Sequence, residues 1–305
     1  MRRVRSERRT RAPLRAGILE VILVVNAHAS GVRPDVVAGV EAELARWGAS
    51  GRTLLTESPD EWVEALDGDT DRRVVLLGGD GTLHAAANVH GPQPELALIP
   101  AGRANNVARS LGIPLAPRTA ARFAVEGRAK PIDAIEAVTP SGRYVAVEGV
   151  SVGFLSQARS RYHETNSGHV VSALAAGAQA LARFHPFRVR VTCNTSIEEL
   201  ALVQLFVANL PLYGFGLQVA PGADATDRLL DIVAIEGRRR SNLLPMIARL
   251  RRGTELERTE THQWRAERVR IDTHAAVPLI ADSFDLGAGP VDFSVLPGAL
   301  ALVRP

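Results

Sequence analysis

The chain has 305 residues, 46% of them hydrophobic, which is enough apolar material for one large domain or two. Its formal charge of +3 is uneven: Met1 to Ala16 holds seven arginines against one glutamate, so the remainder is net −3 and is not a nucleic-acid surface by charge. A lone cysteine, Cys193, excludes an intrachain disulfide and a cysteine zinc site, and a lone lysine, Lys130, with no Gly-Lys-Ser/Thr excludes a Walker-type phosphate loop.

The leader, residues 1–17, followed by "ILEVILVVNAHA", imitates a secretion signal. Glu20 interrupts its short apolar stretch, and cleavage after Ala29 would remove the first core strand. A disordered arginine tail is expected, with a weak anchor to anionic lipid headgroups as the functional alternative. The longest uncharged, mostly apolar stretch, His169 to Ala182, falls short of the ~20 residues of a transmembrane helix. A cytoplasmic protein is expected, peripheral at the inner membrane face if the anchor operates.

From residue 18 to 128, strand-like runs alternate with helical ones: "ILEVILVV", "VVAGVEAELARWG", "RTLLT", "PDEWVEALD", "VVLL", "LHAAANVHG", "LALIP", "ANNVARSLG", "PRTAARFAVEG". That rhythm predicts a doubly wound parallel sheet with helices on both faces, a nucleotide-binding α/β domain. Ligands in such sheets bind beyond the carboxyl ends of the strands, where "VVNAHASG", "LLGGDGT" and "LIPAGRANN" place their turns. Residues 129–297 change to β-rich runs, interrupted by helical segments near Gly168–Phe184 and Arg240–Arg251, and predict a mainly antiparallel β-sandwich domain. Residues 298–305 are expected to return to the first domain. The cleft between the two is the default site.

Within "RRVVLLGGDGTLHAAANVHG", Gly78, Gly79 and Gly81 remove the Cβ atoms that would hold another backbone, or a phosphate, at a distance. Amides at the turn and at the start of the following helix suit phosphate oxygens, and Asp80 suits Mg²⁺. A tight glycine turn with a capping aspartate explains an isolated match equally well. His28, His84 and His90 read as surface or capping residues, His84 as part of a helix face. Trp47, Trp62 and Trp264 read as packing residues, Cys193 as a small buried hydrophobe, and the run at Gly237–Asn242 as a solvated turn.

Four stretches in order, "VVNAHASG", "GGDGTLHAAAN", "IPAGRANNVARSLGIP" and "YGFGLQVAPGADATDRLLDIV", followed by "VLPGALALVRP", resemble the diacylglycerol kinase catalytic-domain family, which includes bacterial lipid kinases and sphingosine kinases. NAD kinases and phosphofructokinases share the GGDG turn, but "IPAGRANNVARSLGIP" is similar to the lipid-kinase segment. The resemblance implies transfer of the γ-phosphoryl group of ATP, with Mg²⁺, to a diacylglycerol-like or other long-chain lipid alcohol at the membrane surface; a homodimer is left open. It implies nucleotide contacts at Asn26, Gly31, Gly78, Gly79, Gly81, Thr82, Gly102, Arg103 and Asn105. Asp80 and Asp133 match carboxylates that support magnesium through water, and Asp227 with the backbone of Leu229 matches a structural cation site. Asp80 is expected to be catalytic, and Asp282 aligns with the proposed general base.

Departures fall at positions that matter. The family has threonine at Arg103, aspartate at Asn106 and Phe154, and glycine at Arg228; its Asp-Gly-Glu triplet appears as Asp282-Ser283-Phe284. Asn106 carries no charge and Phe284 accepts no proton. Arg103 either neutralises phosphate charge or is simply solvated. A catalytically impaired nucleotide- or lipid-binding protein is therefore the alternative to a lipid kinase, with an NAD-kinase-like enzyme behind it.

Overall fold

The computed structural model describes residues 19–58, 61, 72–89, 94–164, 181–194, 196–237, 243–253, 261–273 and 277–305, with the backbone alone for 160–164. The leader, nearly all of the helix expected over "PDEWVEALD" with Trp62, His90, most of the segment Gly168–Phe184, and Arg238–Asn242 lie outside the described residues.

β1 (Leu19–Asn26), β2 (Ala49–Thr56), β3 (Arg73–Gly78) and β4 (Glu95–Pro100) form a parallel sheet in the order β2–β1–β3–β4. Both faces of the central strands are covered, which explains why β3 reads as an unbroken apolar run. Ile22, Val24, Val74 and Leu76 pack with Leu83 and Val107 on one side. Leu23, Val25, Val75 and Leu77 pack with Val40, Leu44 and Ala121 on the other. Helices α1 (Pro34–Arg46) and α4 (Pro117–Glu126) supply that second face, each opening on a proline whose missing N–H the first helical turn does not need. The short helices α2 (Asp80–Ala87) and α3 (Asn106–Ser110) cover the first.

The second half is built from antiparallel pairs. Its strands are β5 (Ala129–Thr139), β6 (Gly142–Ala146), β7 (Gly149–Gly153), β8 (Phe187–Cys193), β9 (Ser196–Ala208), β10 (Leu212–Tyr213), β11 (Leu217–Gln218), β12 (Leu230–Glu236), β13 (Thr261–Ala266), β14 (Arg268–Thr273), β15 (Leu279–Ala281), β16 (Phe284–Asp285) and β17 (Val291–Val303). Alternation is plain in β8, where Phe187, Val189, Val191 and Cys193 are buried while Arg188 and Arg190 face water. Two helices interrupt the strands, α5 (Phe154–Glu164) and α6 (Leu243–Arg252). α5 falls where the sequence reading places no helix: Gln204 on β9 accepts the Leu155 N–H at 2.9 Å, and Ser156 Oγ accepts the Gly153 N–H at 2.9 Å. Part of that helix start is set by a residue about fifty positions away.

β5 and β17 pair antiparallel along nearly their whole length, with a register break between Leu296 and Leu300 at Gly298, whose φ is 61°. Beyond the break, Ala301 and Leu302 of β17 also pair parallel with β4, so one strand belongs to both halves. Among the described residues no helix is long and apolar enough to cross a membrane.

Candidate active site

The turns after β1, β3 and β4 meet at one edge of the parallel sheet, and backbone contact is what their glycines allow. Gly31 N donates to Ala101 O at 2.8 Å, and Ala101 N donates to Gly78 O at 2.7 Å. A Cβ on Gly79 would stand 2.9 Å from Gly102 Cα, and one on Gly102 would stand 2.6 Å from Gly79 Cα. Gly81 differs: a Cβ there would meet only Ser283 Oγ, at 3.8 Å. Most glycines of this edge thus serve chain-on-chain packing, while Gly81 is exposed and open to a ligand.

Side chains lock the turns together. Asn26 Nδ2 donates to Thr82 Oγ1 at 2.9 Å, and Asn26 Oδ1 accepts the His28 N–H at 2.9 Å. Asn105 takes the left-handed conformation, φ 50°, and its amide closes on Gly102, accepting from N at 2.9 Å and donating to O at 3.0 Å. Asp80, first residue of α2 and half-buried, accepts the Val107 N–H of α3 on Oδ1 at 3.0 Å. It caps a neighbouring helix with one oxygen and has the other left for a ligand. Arg103 is exposed at the rim.

Behind this edge lies a buried charged group. His84 is four residues after Asp80 and hence on the same face of α2. Its Nε2 stands 3.1 Å from Glu148 Oε1 and 3.3 Å from Asp282 Oδ2, between two buried carboxylates and aligned on neither. Its Nδ1 lies 3.0 Å from Ser283 Oγ. Burial opposes the charged imidazole, but Asp282, Glu148 and Asp80 outweigh it and lift the pKa to about 9, so His84 is an imidazolium at neutral pH. Burial pushes the Glu148 carboxyl up, partly offset by His84. Asn106 donates through Nδ2 to Glu148 Oε2 at 2.9 Å and to Gly214 O at 2.7 Å.

Asp282 is placed differently from the expectation of a general base. It is fully buried, and its carboxylate accepts the N–H groups of Val147, Glu148 and Gly149 at 2.5, 3.0 and 3.0 Å. With His84 as a further neighbour, no oxygen faces an incoming hydroxyl; the residue organises the turn between β15 and β16, where its own φ is 48°.

The carboxylates of Asp133 and Asp227, the first expected to support magnesium and the second a structural cation with Leu229, are engaged by protein groups. Asp133 accepts the Arg228 N–H at 2.9 Å on one oxygen and the Gly298 N–H at 2.8 Å on the other. Asp227 accepts the Leu229 N–H at 2.9 Å and is paired with the Arg265 guanidinium, which also reaches Asp231 at 3.3 Å. Among the described residues no three His, Cys, Asp or Glu side chains are arranged to hold a metal ion. Asp80 alone fits magnesium of the kind held mainly by nucleotide phosphates.

His84, read from the sequence as a surface or capping residue, is instead buried, because Glu148 and Asp282 pair with it; the sequence reading does not single out Glu148, and it marks Ser283 only within the altered triplet. The signals were the four-residue spacing of Asp80 and His84, and a glutamate inside the apolar run "VAVEGVSV". Phe284, at the position of the family's glutamate, packs against Tyr144 with ring centroids 6.1 Å apart. An open groove of about 820 Å³, lined by Thr192, Arg265, Arg270 and Asp292 among others, shares no residue with the phosphate-side turns.

Comparison with known proteins agrees with this architecture. Residues 20–137 match the diacylglycerol kinase catalytic domain, and residues 148–304 match the YegS C-terminal NAD kinase beta sandwich-like domain. A diacylglycerol kinase of Mycobacterium tuberculosis is 30% identical over 241 residues, covering 76% of each chain. The crystal structure of a diacylglycerol kinase from Bacillus anthracis superposes with a TM-score of 0.73 at 20% identity, covering 94% of this chain and 97% of that one. An NAD kinase from Archaeoglobus fulgidus in complex with ATP superposes with a TM-score of 0.53 at 14% identity, covering 94% of each chain. These two likenesses speak to the fold, and the NAD kinase is the more distant.

Proposed function

The chain belongs to the diacylglycerol kinase family of lipid kinases, and we propose that it transfers the γ-phosphoryl group of ATP to the hydroxyl of a diacylglycerol-like or other long-chain lipid alcohol presented at a membrane surface. The observation that carries this reading is the edge where Gly79 packs on Gly102 while Gly81 stays open beside Asp80 at the start of α2. Helix-start amides and an open glycine bind phosphate oxygens. Magnesium held by Asp80 and the nucleotide phosphates would neutralise charge on the transferring group. Phosphoryl transfer passes through a loose transition state in which positioning and electrostatics outweigh proton abstraction. A buried, saturated Asp282 is compatible with that demand, acting as a positioning residue through His84.

The second reading, a binder that has lost transfer, is favoured by Asn106, whose amide is committed to Glu148 and Gly214 where the family has a carboxylate. Purified protein with γ-labelled ATP, Mg²⁺ and mixed micelles of diacylglycerol, monoacylglycerol and sphingoid bases separates the two. Label in the lipid phase supports the kinase and identifies its acceptor. ATP binding by calorimetry with no label in any lipid supports the binder.

A further inference from the structure

The exposed side chain nearest the open face of Gly81 belongs to the turn between β15 and β16. Ser283 is exposed, its Oγ lies 3.8 Å from where a Gly81 Cβ would be, and it is 3.0 Å from His84 Nδ1. We propose that the Ser283 hydroxyl, held by His84, is a donor to the terminal phosphoryl group of a bound nucleoside triphosphate, a subsite that completes the open turn at Gly81.

The position of Ser283 Oγ, between His84 Nδ1 and the open face of Gly81, carries the argument. An imidazolium donates through both nitrogens, so Nδ1–H donates to Ser283 Oγ and Nε2–H faces Glu148 and Asp282. Ser283 Oγ then accepts on its inner side, which leaves its own proton to donate on the side of the open Gly81 face. An imidazolium has no lone pair to receive that proton, so His84 does not activate Ser283 as a nucleophile; it polarises the hydroxyl as a donor. The amide of Gly81, in the first turn of α2, has no helical carbonyl to pair with. The exposed hydroxyl and the helix-start amide belong to the same exposed edge at Gly81, and an oxyanion is the ligand both suit. Asp282 keeps Ser283 in place, because three backbone N–H groups fix its carboxylate and its φ of 48° sets the turn.

This inference rests on the kinase reading for the identity of the nucleotide, and it is tested by binding. ATP and ADP, each with Mg²⁺, are titrated into the full chain and into Ser283→Ala, Ser283→Thr and His84→Gln by calorimetry. Ser283 is exposed, so its substitutions leave folding intact, which melting curves verify. Ser283→Ala is expected to weaken ATP roughly tenfold while leaving ADP within twofold, the size of one hydrogen bond to a charged group. Ser283→Thr retains the wild-type ratio of ATP to ADP affinity, and His84→Gln reduces it, responses that a merely structural hydroxyl would not give. An unchanged ratio in Ser283→Ala overturns the subsite and, if the wild type labels lipid, leaves the kinase reading standing. A lowered ratio in a protein that labels no lipid supports the subsite and overturns transfer. A wild type that binds neither nucleotide overturns both.

Discussion

At the scale of single residues, His84 links charge to stability. The pKa of about 9 lies above the 6.5 of an unfolded histidine because Asp282, Glu148 and Asp80 outweigh the cost of burial. A pKa raised on folding gives a stabilisation that is fully present below pH 6.5 and is lost as pH rises through 9. Its size is ~3 kcal/mol. Urea unfolding of the wild type at pH 6, 7.5 and 9.5 should show that decline, and His84→Gln should lack it; parallel curves for the two proteins would remove the charge from His84. Arg228 is legible at the same scale. The family's glycine there corresponds to a left-handed backbone, φ 64°, and the arginine keeps the conformation while donating its N–H to Asp133.

At the scale of elements, Arg73 joins β3 to the end of α4. It is 6% exposed, donates through Nη1 to the carbonyls of Ala124, Val125 and Gly127 at 2.7, 3.2 and 3.1 Å, and pairs with Glu95 at 2.9 Å. These are carbonyls of the kind a helix leaves without partners at its C-terminus. Arg73→Ala should cost roughly 3 kcal/mol, and Arg73→Lys should recover less than half, since an ammonium cannot span the same set of acceptors. Chemical denaturation checks both; a lysine variant equal to wild type would contradict the role of the guanidinium fork. The elements of the first half were legible because each rule acts locally: continuous apolar runs for β1, β3 and β4, proline at the start of α1 and α4. α5 was not, because Gln204 helps to set its start from β9. The candidate site divides in the same way. Asn26, Gly79, Gly102 and Asp80 announce themselves as turn residues, whereas His84 acquires its charge from Glu148 and Asp282, which only the tertiary fold brings beside it.

At the scale of the molecule, β17 and Asp133 connect the two halves. β17 pairs with β5 along nearly its whole length, with β14 at one end and with β4 at the other, and Asp133 ties Arg228 and Gly298 to β5 while its carbonyl accepts from Asn209 Nδ2 at 2.9 Å. The site draws on both halves: Asp80 and His84 stand on α2, while Glu148, Asp282 and Ser283 come from the strand-rich half. On the proposed reading a lipid hydroxyl and a nucleotide phosphate meet at this edge for transfer, where Asp80 supplies a half-buried carboxylate. Asp80→Asn removes that charge while keeping an oxygen to accept the Val107 N–H, so folding is retained and melting should shift little. Transfer of label from γ-labelled ATP to lipid, measured alongside melting, should fall at least ~100-fold in Asp80→Asn, whereas a variant that melts as wild type and labels lipid at the wild-type rate would contradict phosphoryl transfer at this turn.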